Sequence, residues 1–332
     1  MLSIRSLLIA FTLIFLFFML AFTTYILSPI SIGSARDIKI LPGDGVGKIG
    51  QILEEENLIR SSYAFKFYTF FRGASSQLKP GRYIVSPSLN MSEIVRLLVD
   101  GPADIEVLIH EGKTLKEVDS QFASLGLIDA GSLASYDVEA LKQKYPFLER
   151  VKTLEGFLFP DTYRFSTDST TEDIVKKLLD NFQYKAGSAF SFETSEEDKD
   201  WYNDLILASL IEREVPFSED RRIVAGIIKK RLDVGMGLQI DATVIYAKCN
   251  GVFENCPRLT PDDFLIQSPY NTYRYQGLPP APIANPGLDA ILAARNPQNT
   301  KYWYYLSDPE TKNTIFAATL AEHNRNKARY LR

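Results

Sequence analysis

The sequence predicts an α+β protein in three parts: an apolar N-terminal helix, small strand–turn–helix modules, and a C-terminal half of helices joined by long loops. Three observations carry this reading. Residues Leu7–Leu27 (LLIAFTLIFLFFMLAFTTYIL) hold no charge. Two later segments, LPGDGVGKIGQILEEENLI and HEGKTLKEVDSQFASLGLI, repeat one apolar pattern at equal spacing. Further on, apolar residues recur at three- and four-residue steps and then give way to a Pro- and Tyr-rich tract.

The apolar run is long enough to cross a hydrocarbon core of ~30 Å at ~1.5 Å per residue. A cleaved signal peptide would carry a shorter apolar region of ~7–15 residues and an A-x-A-like site. The SPISIGSARD that follows offers no such site. Arg5 flanks the run on one side, and Asp37 is the first charge on the other. The positive-inside rule then puts residues 1–6 in the cytoplasm, 7–27 across the membrane and the rest outside. The expectation is a single-pass anchor in the cytoplasmic (inner) membrane, with an extracytoplasmic, periplasmic C-terminal domain.

In the repeated pattern Val46, Ile49, Leu53, Leu58 and Ile59 match Leu115, Val118, Phe122, Leu127 and Ile128. Each copy reads as a strand, a Gly-containing turn and an amphipathic helix. Between them, LKPGRYIVSPSLNMSEIVRLLVDG gives a strand, a turn, and a helix that starts near Asn90 or Ser92 and stops at Gly101. One module is expected at 38–101, a linking α+β segment at 102–150, and a further domain at 151–332. In the last of these, EGFLFPDTYRF is extended and helices are expected at 172–187 and 199–215. Another runs from Ser218 to Gly235 with Ile223, Ile227, Ile228 and Leu232 on its buried face. A short helix at 288–295 and strands in YWYYLSD and TIFAAT complete the chain.

A net charge of −4 leaves no electrostatic footprint for nucleic acid. The two cysteines, Cys249 and Cys256 in KCNGVFENCPR, could close a small disulfide loop in an oxidising compartment, or stay as free thiols. His110 and His323 are the only histidines, and neither sits in an H-E-x-x-H pattern, so neither a metal nor a cofactor is expected.

LASLIEREVPFSED, Leu207–Asp220, runs an apolar helix into two glutamates, Glu212 and Glu214. Successive helical residues rotate by ~100°, so these carboxylates point ~200° apart and cannot both face one cleft. Pro216 ends the helix near Glu214. A carboxylate there meets the negative pole of the helix dipole inside an apolar segment, and both effects raise its pKa. A glutamate kept protonated near neutral pH is what general-acid attack on a glycosidic oxygen requires. The blander reading pairs one glutamate with Arg213, Arg221 or Arg222 and leaves the other solvated.

LASLIEREV, RLDVGMGLQIDATVIYA, SPYNTYRYQGLPPAPIANPG and EHNR, with EGFLFPDTY upstream, resemble in order and spacing the YceG-like family of endolytic murein transglycosylases. The resemblance implies a LysM-like module at 38–101 and, at 151–332, a catalytic domain with a lysozyme-like helical acid/base element. It further implies cleavage of the MurNAc–GlcNAc bond inside peptidoglycan glycan strands without water. The products would be 1,6-anhydro-MurNAc ends, formed beside peptidoglycan synthases and terminating strand elongation. By motif position it nominates Glu214 as the acid/base, with Glu212 as the other candidate. As substrate-binding residues it nominates Asp161 in PDTY, Gln239 and Asp241 in LQID, Thr243, Tyr246, and the YNTY residues Tyr270, Asn271, Thr272 and Tyr273. The chain departs from the family pattern at Val215 and Pro216, at KKRL, and in its cysteine loop. The chemistry agrees with a single acid/base, since no second carboxylate nucleophile is required when the sugar's own O6 attacks C1. Neutral dipoles such as Gln239, Asn271 or tyrosine hydroxyls could meet the developing charge, and sugar rings could stack on Tyr270, Tyr273 and Tyr275. Two alternatives stand beside this: a water-using muramidase pairing Glu214 with Asp161 or Asp241, and a non-catalytic wall-binding scaffold.

Overall fold

The computed structural model describes residues 4–30, 33–190 and 201–331. Residues 1–3 of the expected cytoplasmic stretch and residues 199–200 of an expected helix lie outside them. The chain divides into two compact units, Met1–Ile105 with Arg164–Asp168, and Glu106–Tyr163 with Ser169–Arg332.

The first unit contains α1 (Ile4–Leu27), β1 (Arg36–Ile40), α2 (Val46–Glu55), α3 (Ser62–Phe71), β2 (Gly81–Val85) and α4 (Met91–Asp100). β1 and β2 pair antiparallel, with Ile38 opposite Tyr83 and Ile40 opposite Gly81. The two-residue alternation of a strand turns Ile38, Ile40, Tyr83 and Val85 inward. On that face α2 lays Ile49 and Leu53, α3 lays Phe65, and α4 lays Ile94 and Leu98, all buried in one apolar cluster. Burying each such side chain stabilises by about 1.5–3 kcal/mol relative to leaving it in water. The helix ends are set locally. Asn90 and Glu93 form a reciprocal capping box at the start of α4. Gly101, at φ 95°, stops that helix in a conformation that side chains resist.

The expected anchor at 7–27, and with it the inner-membrane localisation and the extracytoplasmic placing of the C-terminal domain, requires correction. Among the described residues no helix is long and apolar enough to cross a membrane.

Next come β3 (Ile105–Leu108), α5 (Leu115–Ser124), β4 (Thr162–Phe165), which pairs with β3, and α6 (Thr171–Phe190). They are followed by α7 (Trp201–Glu214), α8 (Ser218–Asp233), α9 (Asp241–Lys248), α10 (Leu288–Arg295), β5 (Tyr304–Ser307), β6 (Thr314–Ala317) and α11 (Leu320–Tyr330). α7 is the central rod of the second unit. Every residue from Asp204 to Ile211 is buried, and α10 packs across α6, α7 and α8. Phe157, Phe182, Phe190 and Trp201 form an aromatic cluster, with ring centroids 5.1 Å apart for Phe157–Phe182 and 5.8 Å for Phe190–Trp201. The buried Asp204 is paired with Arg295 at 2.9 Å and Lys229 at 3.5 Å. On α8, Gly226 lies against the backbone of Gln298, whose N–H donates to the Arg222 carbonyl at 2.9 Å.

The repeated apolar pattern is realised in both units. Ile49, Leu53, Leu58 and Ile59 are buried in the first, and Leu115, Val118, Phe122 and Leu127 in the second.

Candidate active site

The central helix leaves the core at its last turn, and its two glutamates part company there. Glu212 turns toward α8 and α10. Its Oε1 accepts from Arg221 at 2.7 Å, and its Oε2 accepts from Arg221 at 3.3 Å and from the Gly287 N–H at 3.0 Å. Arg221 in turn donates to the Val215 carbonyl at 3.2 Å and contacts Asp289 at 3.3 Å. Burial pushes the Glu212 carboxyl up, and Arg221 and Gly287 pull against it without cancelling the rise. Both oxygens of Glu212 are therefore committed to the frame of the unit.

Glu214 faces α9 and the β5–β6 hairpin. Its carboxylate accepts from the Ala242 N–H, in the first turn of α9, and from the Tyr305 hydroxyl at 3.4 Å. The positive end of the α9 dipole favours the anion. Burial first, and the neighbouring Asp241 carboxylate second, outweigh these donors and Arg213, and push Glu214 up to about 7. A carboxyl with such a pKa is poised to give and take a proton near neutrality.

Two loops are sewn together beside it. The Thr272 hydroxyl accepts from the Ile240 N–H at 3.0 Å and lies 2.9 Å from the Thr243 hydroxyl, which donates to the Ile240 carbonyl at 2.7 Å. Asn271 donates its amide to the Phe264 and Ile266 carbonyls at 3.0 and 2.9 Å, and its Oδ1 accepts from the Tyr273 N–H at 3.0 Å. Gln239 is exposed and sits at φ 53°, the left-handed region that side chains enter rarely. Its N–H is held by the Thr272 carbonyl at 3.2 Å. This frame sets the Tyr273 hydroxyl 2.6 Å from Asp241 Oδ1. Asp241 and Tyr273 are thus brought to Glu214, whereas Thr243, Asn271 and Thr272 are spent inside the frame.

Tyr246 and Tyr270 go elsewhere. Their rings are 4.9 Å apart, and the Tyr246 hydroxyl donates to Glu155 Oε2 at 3.0 Å. The other oxygen of Glu155 accepts from the Leu115 N–H at 2.9 Å. Burial pushes this carboxyl up to about 8. Asp161 lies in a third place, a cavity of about 570 Å³ lined also by His110, Glu111, Glu212 and Arg221 but not by Glu214. Burial pushes Asp161 up, but Asn181, the Thr162 N–H and Lys185 together hold it below the usual carboxylate range.

Asn285 ties these parts together. Its Oδ1 accepts from the Gly156 and Leu158 N–H groups at 3.0 and 2.9 Å, and its amide donates to the Lys113 carbonyl at 2.8 Å. A second tie is the bonded pair Cys249–Cys256. The loop it closes seats Phe253 N–H and Glu254 N–H on Glu117 at 2.7 and 2.9 Å, and Phe253 lies under the Arg213 guanidinium at 3.7 Å. Among the described residues no cluster of three or more His, Cys, Asp or Glu could hold a metal ion.

A family model described as the YceG-like family matches residues 38–329. The chain belongs to the YceG-like family. This YceG-like chain is 32% identical, over 311 residues, to the endolytic murein transglycosylase of Bacillus subtilis (strain 168), covering 89% of the chain and 84% of that protein. It is 29% identical, over 337 residues, to the endolytic murein transglycosylase of Streptococcus pneumoniae (strain D39), covering 92% of the chain but only 60% of that longer protein. A crystal structure of a yceG-like protein from Listeria monocytogenes superposes with a TM-score of 0.59 at 31% identity, over 90% of this chain and 100% of that one.

The carboxylate pair was visible in the sequence, and so was Arg221 as a partner for one member. Tyr305, Glu155 and Asn285 were not singled out. A lone acid inside the apolar EGFLF is the one local signal that could have flagged Glu155.

Proposed function

We propose that this chain is an endolytic lytic transglycosylase of peptidoglycan in which Glu214 is the single acid/base. Glu214 gives its proton to O4 of the departing GlcNAc as the C1–O4 bond to MurNAc breaks. It then takes the proton of the MurNAc O6 hydroxyl as O6 bonds to C1. The acid is regenerated, no water is consumed, and one fragment ends in 1,6-anhydro-MurNAc. The observation that carries this reading is the contrast between the two glutamates. Glu212 has both oxygens engaged by Arg221 and Gly287, whereas Glu214, among the described residues, accepts from an N–H and a hydroxyl and sits near pKa 7. The Bacillus subtilis and Streptococcus pneumoniae relatives, named endolytic murein transglycosylases, support the substrate. Asp241 and its Tyr273 partner would face the developing oxocarbenium charge. The LysM-like stretch 38–101 would hold the strand, a role to which the exposed rings of Tyr63, Phe67, Phe70 and Phe71 on α3 are suited. Cutting within a strand would set where growing strands end, in concert with peptidoglycan synthases.

Asp241 beside Glu214 also favours a second reading, a muramidase in which that carboxylate assists water. Mass analysis of products from defined glycan strands separates the two, because anhydro ends are one water lighter than reducing ends. Glu214→Gln is expected to lower anhydro-end release by ~10²–10⁴-fold, while Glu212→Gln retains activity if its thermal melt shows a folded chain. Loss of activity in a folded Glu212→Gln, with Glu214→Gln active, would reverse the assignment. Reducing ends from the unaltered protein would select the muramidase.

A further inference from the structure

The β5–β6 hairpin closes over the end of α7 at two points. The Ser307 hydroxyl lies 3.5 Å from the Glu214 carbonyl, and the Tyr305 hydroxyl lies 3.4 Å from Glu214 Oε2. The strand register seats Tyr305 opposite Phe316, so the phenol is carried by a paired strand rather than by a free loop. Burial first, and then the field of Glu214, hold the Tyr305 hydroxyl well above the ordinary tyrosine value, against the opposing pull of Arg231. Toward an ionised Glu214 that hydroxyl acts only as a donor. A donor of this kind favours the ionised carboxylate over the neutral acid.

Resting on the acid/base reading of Glu214, we propose that Tyr305 is a positioning residue for the second half of the reaction. Its hydroxyl holds Glu214 Oε2 once the proton has gone to O4, so that the carboxylate is aligned when O6–H must be deprotonated. Other groups act on the same carboxyl. Asp241 at the head of α9 repels its charge, and the Ala242 N–H and Arg213 on α7 favour it. Arg231 on α8 and Tyr273 from the YNTY loop lie within electrostatic reach of the pair. Tyr305 and Ala242 are the two hydrogen-bond donors in this set, and only Tyr305 supplies its donor from a side chain.

The test is the pH dependence of kcat/KM for anhydro-end release by the whole chain from defined glycan strands. Tyr305→Phe removes the donor and keeps the ring. The alkaline limb, where Glu214 loses the proton it needs as an acid, is expected to move up by about 0.5–1 pH unit, the size of one long hydrogen bond. The plateau kcat is expected to drop several-fold with little change in KM. A ring-fluorinated tyrosine at position 305 keeps the shape and donates more strongly, so it should move the limb down, and it remains informative if Tyr305→Phe melts early. A limb that stays in place in the fluorinated protein, with Glu214→Gln inactive, overturns the role of Tyr305 and leaves the acid/base reading standing. A fully active, folded Glu214→Gln overturns the acid/base reading itself.

Discussion

Glu155 shows how much one side chain can bind into the stability of the molecule. It is buried, bonded to Tyr246 and to the Leu115 N–H, and pushed up to about 8, whereas an unfolded glutamate titrates at ~4.3. Between those values the folded chain keeps a proton that the unfolded chain has released, so stability falls as pH rises through that window. Glu214, at about 7, adds a contribution of the same sign. The melting temperature is expected to drop between pH 5 and pH 8.5, on the order of several degrees for a destabilisation of ~2 kcal/mol in a domain of this size. Glu155→Gln, which keeps an acceptor for Leu115 and cannot ionise, should flatten that decline. A melting curve series in which the variant falls as steeply as the parent would reject this assignment. The residue scale was partly legible. The ~200° divergence of Glu212 and Glu214 follows from helical geometry alone, and the structure keeps it. The partnership of Glu214 with Tyr305 joins residues 91 positions apart, and no local pattern announces such a pair.

Among elements, α8 makes the sharpest claim. A Cβ on Gly226 would stand 1.9 Å from the Gln298 carbonyl oxygen, and that oxygen belongs to backbone tied to Arg222. Gly226→Ala should therefore destabilise despite the better helix propensity of alanine, by about 1–3 kcal/mol from forced separation of the packed segments. Urea unfolding would read this directly, and a variant as stable as the parent would mean the segments part freely. The same scale shows where periodicity succeeds and fails. α7, α8 and α10 were legible because apolar spacing and Pro or Gly stops coincide with their ends. α3 was not, since SYAFKFYTFF is rich in aromatics that favour strands; it is helical because Ser61 caps it and Phe65 is buried beneath α2. α9 was hidden likewise by the β-branched residues of DATVIYAK. Its start is fixed by the Thr243–Thr272 frame, a contact made 29 residues away.

At the level of the whole molecule, the strand–turn–helix repeat was readable from equal spacing, while the junctions that complete the second unit were not. Lys113 meets Asn285 across 172 residues, and Glu117 meets the cysteine loop across 136 and 137. Those separations carry an order of events. At ~5–20 residues per second, the ribosome delivers Asn285 roughly 10–30 s after Lys113. Through that interval the Gly112 N–H and the Lys113 carbonyl of the HEGKT turn lack their Asn285 partner, and closing so long a loop opposes its early docking. The first unit has no such wait, because β1 and β2 lie 45 residues apart where Asp37 meets Arg82. A chain cut after Pro280 is accordingly expected to protect the amides of β1 and β2 from hydrogen exchange as the full chain does, while Gly112, Gly156 and Leu158 exchange freely. Protection at those three positions without Asn285 would show that the turn forms unaided. If it does not, the turn whose Gly112 carbonyl receives Arg213 at the end of α7 is completed only after Asn285 has been made, and Glu214 gains its Tyr305 partner later still.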